Sequence, residues 1–253
     1  MSPTRRPLTV FPLVLAPILG IGCGPTLSTQ VRTETALAPG NTGTLSKDGL
    51  TIEVPNLKQM PEVFRVEVAA CDVDGKPAVD ALSGAVGTTT VTALPATGEL
   101  YQIKLTNQTD HVVRLQGSVI RLFDPAENQI EPQSKEEVVA TATRPSSLAR
   151  QGACPAAAAK VTDALTTVRF IGPNTELLPG TTTTGYLSFL PANTQLPGTW
   201  KLSLYEIPVK VDAAGTAVAK TRFDFVYLRK KIQDTYSQEL MGERKLVNSK
   251  EVP

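Results

Sequence analysis

His111 is the only histidine in the chain, and Asp110 precedes it directly. Any serine–histidine–aspartate site would have to use this histidine. No Gly-x-Ser-x-Gly nucleophile turn accompanies it, and the pair closes the run Asn107-Gln108-Thr109-Asp110-His111, which is turn chemistry. We therefore expect His111 in a surface turn. A single histidine also excludes a two-histidine zinc site within one chain. Asp72-Val73-Asp74-Gly75, with Asp80 beyond, has the oxygen ligands of a calcium loop but not the spacing. In an EF-hand the glycine belongs at position six and a bidentate glutamate at position twelve. The neighbours Glu136 and Glu137 fall in a polar stretch and read as solvated surface, as does the short basic run Arg229-Lys230-Lys231. There is no glycine-rich phosphate loop. The expectation is a protein with no catalytic residues, no metal site and no cofactor.

The first two dozen residues carry a different kind of chemistry. Arg5 and Arg6 open a basic start, an apolar stretch runs from Leu8 to Ile21, and Gly22-Cys23 follows. A basic region, a short apolar region and a small residue before the cut are the parts of a secretory signal. The stretch is interrupted by Pro12 and Pro17 and falls short of the roughly 20 apolar residues a membrane-spanning helix needs. With a cysteine directly after the small residue, the segment resembles a bacterial lipoprotein signal. Gly20 stands where that pattern usually carries leucine, with Leu19 one place earlier. The resemblance implies removal of residues 1–22 and lipidation of Cys23. Gly24 and Pro25 follow, with no aspartate as an inner-membrane retention cue, which points to the outer membrane.

An exported chain meets an oxidising compartment. Cys71 and Cys154 remain as an even pair once Cys23 is lipidated, and we expect them to form a disulfide, with two buried thiols as the alternative. Taking Arg5 and Arg6 from the 25 basic residues leaves 23 against 24 acidic ones. That balance gives no basic footprint for nucleic acid.

Along the rest of the chain the hydrophobic pattern is mostly period two. Residues 23–48 are rich in Thr, Ser, Gly and Pro and read as a flexible tether. Leu50–Val54 alternates, and Val63–Val68 puts Phe64, Val66 and Val68 on one face with Val63 and Arg65 on the other. A weaker run covers Thr88–Leu94. Tyr101–Leu105 and Val112–Leu122 read as antiparallel neighbours, with a second turn at Asp124–Asn128. Residues 132–165 read as a loop plus a short helix over Ala156–Leu165, and strands resume at Thr167–Ile171, Thr184–Leu190, Trp200–Tyr205, Pro208–Val211 and Ala217–Leu228. Roughly ten strands with closely spaced turns are the mark of a β-sandwich or barrel. In residues 230–253, Ile232, Tyr236 and Leu240 recur every four residues, which fits an amphipathic helix or a packed tail.

The strings KLTNQTDHVVRLQGSVIRLFDPAENQIEP, ELLPGTTTTGYLSFLP and WKLSLYEIPV resemble a class of exported bacterial immunoglobulin-like β-sandwich domains. The resemblance spans residues 99–228. It implies an antiparallel sandwich over residues 49–229 with a short helical insertion, and it carries no site residues. The function expected is a lipid-anchored envelope protein that binds or scaffolds a partner protein without catalysis. The alternative is a carrier or sensor of a small hydrophobic ligand, which needs an apolar pocket between the sheets. The segments least explained by a sandwich, 145–165 and 230–253, are expected to carry the specific contacts.

Overall fold

The computed structural model describes residues 26–55, 60–72, 74–80, 83–94, 98–116, 118–191, 193, 196–212, 216–238 and 245–252. The signal segment 1–22 and Cys23 lie outside the described residues. Among the described residues 53% are strand and 13% helix, so this part of the chain is mainly β, and its sheets are antiparallel. The strands are β1 (Thr26–Leu37), β2 (Thr44–Lys47), β3 (Leu50–Glu53), β4 (Arg65–Ala69), β5 (Thr88–Thr92), β6 (Glu99–Asn107), β7 (Val113–Arg114), β8 (Val119–Phe123), β9 (Gln129–Ile130), β10 (Glu176–Leu177), β11 (Thr182–Phe189), β12 (Gly198–Val211), β13 (Ala217–Gln238) and β14 (Lys245–Val252). Between β9 and β10 come three helices, α1 (Lys135–Ala142), α2 (Pro145–Arg150) and α3 (Ala157–Thr166).

Contacts divide the chain into two units, one of residues 32–232 with 251–253, the other of residues 1–31 with 233–250. In the larger unit, one sheet is ordered β11-β6-β3-β2 and another contains β13-β12-β8-β9. Alternation aims Ile52, Ile103, Leu105 and Phe189 of the first sheet, and Leu122, Trp200, Leu202 and Phe225 of the second, into one buried cluster. Strands expected as Trp200–Tyr205 and Pro208–Val211 are one strand, β12. The ladder with β13 shifts register between Leu204 and Ile207, and Glu206 there takes a left-handed φ of 60°. This is a β-bulge, which lets a strand continue after a local change of twist.

The helical insertion has a core of its own. Phe64, Val66 and Val68 pack with Val91 of β5 and with Val138, Leu148, Val161 and Leu165 of the helices. The alternation expected for Val63–Val68 holds, since Phe64, Val66 and Val68 are buried while Val63, Arg65 and Glu67 are exposed. α3 was anticipated, and its Ala157, Val161 and Leu165 fall four apart on the buried face. α1 was not anticipated, although its start is marked by a capping box. Ser134 Oγ accepts from the Glu137 N–H, and a Glu137 carboxylate oxygen accepts from the Ser134 N–H. Glu136 and Glu137 therefore occupy the first turn of a helix rather than a loop.

Several segments differ from expectation. Val112–Leu122 is not one strand beside Tyr101–Leu105: it is split into β7, which pairs with β10, and β8, which pairs with β12 and β9, while β6 pairs with β3 and β11. The presumed tether holds β1 and β2. Asp48 and Gly49, both with positive φ (51° and 78°), form the two-residue turn that joins β2 to β3, the Asp-Gly signature of a type I′ hairpin. The C-terminal stretch is strand, not helix, through Gln238 and again in β14; Leu240 lies outside the described residues. A spacing of four residues is about one helical turn and also two strand repeats, so Ile232 and Tyr236 share a face either way. Thr167–Ile171 is reduced to a single bridge, Phe170 beside Tyr186.

In the smaller unit, parts of β1, β13 and β14 are present, and the Ser249 hydroxyl donates to Asp234. Leu27, Val31, Leu246 and Val247 are exposed large apolar residues there.

Candidate functional site

The candidate site is a cleft of about 550 Å³ in the larger unit, where the α1 N-terminus, β8 and the segment 169–175 come together. Its apolar floor comes from Leu115, Ile120, Phe170 and Ile171, and its cations are Arg121, Lys135 and Arg169. Gly185 makes this arrangement possible. A Cβ there would sit 2.8 Å from Ile171 Cδ1 and 2.9 Å from the Arg169 carbonyl, so only glycine lets the segment 169–171 lie against β11. Across that contact the Tyr186 N–H donates to the Arg169 carbonyl and the Ile171 N–H donates to the Tyr186 carbonyl, both at 2.9 Å. Gln133 lies further along β11, its N–H donating to the Ser188 carbonyl.

The acids lining the cleft are already engaged. Glu131 meets Arg121 at 2.6 Å, and Glu137 closes the capping box. Lys135 Nζ donates to the Thr166 carbonyl. Arg169 is exposed and has no side-chain partner among the described residues. The chemistry on offer is reception of an anion beside an apolar surface. Sequence reasoning missed all three cations, because each belongs to a different element and the cleft exists only once those elements are packed. The capping box was the legible signal that a helix begins there.

A second polar group is buried elsewhere in the same unit. Arg229 is only 2% exposed; it pairs with Glu99 at 2.8 Å, donates to Thr35 Oγ1 and lies 4.2 Å from the centre of the Trp200 ring. Arg229 is thus not part of a solvated strand end. Burial pushes the Glu99 carboxyl above its ordinary value, with Arg229 opposing the shift. Nearby, Tyr101 and Tyr227 stand with ring centroids 5.4 Å apart. Burial raises both phenols, and neither hydroxyl has a hydrogen-bond partner among the described residues.

His111 Nδ1 lies 3.1 Å from Asp110, and this bond holds the exposed Asp110 carboxyl below its usual range. Contrary to a freely exposed turn histidine, its Nε2 is shut off from solvent without a partner among the described residues. The organising residue of the turn is Asn107. Fully buried, it donates through Nδ2 to the His111 and Leu177 carbonyls and accepts at Oδ1 from the Thr109 N–H and hydroxyl. One of its amide hydrogen bonds reaches β10, at Leu177, and the other three close its own turn. Replacing Asn107 with alanine would take the side-chain donor from the buried Leu177 carbonyl and open the turn, leaving the His111 carbonyl to the Thr109 hydroxyl, and we expect a loss of about 2–3 kcal/mol, read as a lowered urea midpoint at unchanged slope. A loss under about 1 kcal/mol would mean that water replaces the amide.

The Asp72 carboxylate accepts from the Asp74 and Lys76 N–H groups, which makes that loop a side-chain-capped turn. Among the described residues no cluster of three His, Cys, Asp or Glu side chains is placed to hold a metal. Cys71 and Cys154 stand at disulfide distance, 2.04 Å between sulfurs, tying the end of β4 to the start of α3. No family model matches this chain, and neither does any curated protein or solved structure.

Proposed function

We propose that the chain is a bacterial lipoprotein, anchored through Cys23 in the outer membrane, whose immunoglobulin-like β-sandwich binds or scaffolds an envelope protein without catalysis. The observation that carries the anchoring is the sequence from Arg5 to Cys23. Support for binding comes from apolar side chains left in solvent on the strands of the smaller unit, Leu27 and Val31 of β1 and Leu246 and Val247 of β14, each of which a protein partner could cover. The filled core weighs against the carrier reading. Trp200, Phe189, Phe223, Phe225 and Tyr227 occupy the space between the sheets, none more than 1% exposed, where a hydrophobic ligand would need room. The expectation that residues 145–165 carry contacts is narrowed, because Leu148, Val161 and Leu165 are consumed by the second core and leave only the outward faces of α2 and α3.

Two measurements test the reading. Cys23→Ala is expected to shift the protein from the membrane to the soluble fraction; retention at the wild-type level would refute the anchor. Cross-linking in cells, followed by purification of the tagged, detergent-extracted protein, is expected to bring one or two stoichiometric envelope proteins. A clean protein without a partner would move the reading to a ligand carrier.

A further inference from the structure

We propose that the cleft between α1 and the segment 169–175 receives an extended acidic segment of the partner protein, laid along the open side of residues 169–171. The inference rests on the reading of the chain as a protein-binding module and adds where and by what chemistry it binds.

Three observations carry it. The first is charge. Arg121, Lys135 and Arg169 outnumber the two acids, Glu131 and Glu137, by one; Arg121 pairs with Glu131, Glu137 closes the capping box and Lys135 donates to the Thr166 carbonyl. Arg169 is left as an exposed guanidinium with no partner among the described residues. Guanidinium recognises carboxylate through paired, charge-assisted hydrogen bonds. The second is backbone polarity. The Arg169 carbonyl and the Ile171 N–H are both turned to Tyr186. In an extended chain the intervening groups point the opposite way, so the N–H and carbonyl of Phe170 face away from β11 and have no partner among the described residues. An extended peptide can satisfy them by adding a strand, with its alternate side chains meeting the walls. The third is the floor. Leu115, Ile120, Phe170 and Ile171 offer an apolar strip beside the cations, matched by a segment that alternates acidic and apolar side chains.

The test uses detergent-extracted full-length protein and a blocked five-residue peptide alternating glutamate and valine, labelled for fluorescence anisotropy. The expected result at low salt is saturable one-to-one binding. It should weaken at least tenfold when glutamine replaces glutamate in the peptide, and at least tenfold in both Arg169→Glu and Arg169→Gln. Lys160→Glu, on α3 and outside this cleft, should leave binding unchanged. Equal binding of the glutamine peptide, indifference to both Arg169 variants, or no saturable binding would overturn the proposal. Competition by sodium phosphate as effective as by the unlabelled peptide would do the same, by showing a site for any anion. Cross-linking in cells separates this proposal from the module reading beneath it. A partner captured equally well by Arg169→Glu refutes the cleft and leaves the module standing, whereas no partner for the wild type refutes the module.

Discussion

Replacing Glu99 with alanine is expected to lower stability by about 3–5 kcal/mol, the usual result of leaving a buried charge without its partner. The stranded group is Arg229. It is almost wholly buried, and the Thr35 hydroxyl and the Trp200 ring are among its other contacts. Glu99→Gln keeps an acceptor within reach of the guanidinium, and its loss should be well below that of alanine. Urea unfolding of the two variants beside the wild type gives the comparison. Equal losses would mean that the carboxylate charge contributes nothing and that packing is the whole effect. The pH dependence has a definite sign. Burial raises the folded Glu99 carboxyl above the unfolded one, so between those two values the folded state binds more protons. The contribution of Glu99 to stability is therefore greatest at low pH and declines as pH rises upward from the ordinary carboxylate range. Glu99→Gln should remove that decline.

The second large effect is expected from the cysteines. Cys71 and Cys154 are 83 residues apart in sequence, and a cross-link closing a loop of that size is worth roughly 4–5 kcal/mol in the chain-entropy model. Cys71→Ala with Cys154→Ala should cost that much, less any structure retained in the unfolded chain. The loss should appear first around the insertion, because the cross-link joins the end of β4 to the start of α3, two elements that share the second core. Amide exchange in α3 is expected to speed up more than in β6 or β12. Thiol titration under denaturing, non-reducing conditions checks the premise, and two reactive thiols from Cys71 and Cys154 would sink it.

Much of the strand content was legible, for a local reason. In the run from Phe64 to Val68 and again from Tyr101 to Leu105, alternation alone identified the buried face, because side-chain direction in a strand depends only on residue parity. The same reasoning failed where a pattern fits two structures. Ile232 and Tyr236 satisfy helix and strand equally, and the ladder of β13 decided between them. Asp48-Gly49 announces the hairpin of β2 and β3, but the polar composition around it, rich in Thr and Ser, reads equally as a tether. Threonine is a good strand former, and composition alone does not separate an exposed strand from a linker.

The partnerships were beyond reach. Arg229 and Glu99 are 130 residues apart, and nothing near Arg229 in sequence distinguishes it from a surface cation. The second core joins residues 64–94 to residues 138–168, and neither part has enough apolar surface to reveal the other. The sequence by itself determined a β-rich chain, the inward face of several strands and the lack of a recognisable nucleophile motif around its one histidine, and it is the whole basis for proposing a leader over residues 1–22. Tertiary structure alone decided that the insertion has its own core, that Arg229 is buried against Trp200, and that Arg121, Lys135 and Arg169 line one cleft. The division has a physical cause. Periodicity and turn chemistry act over a few residues, whereas pairing across long loops is selected by the burial available to the whole chain.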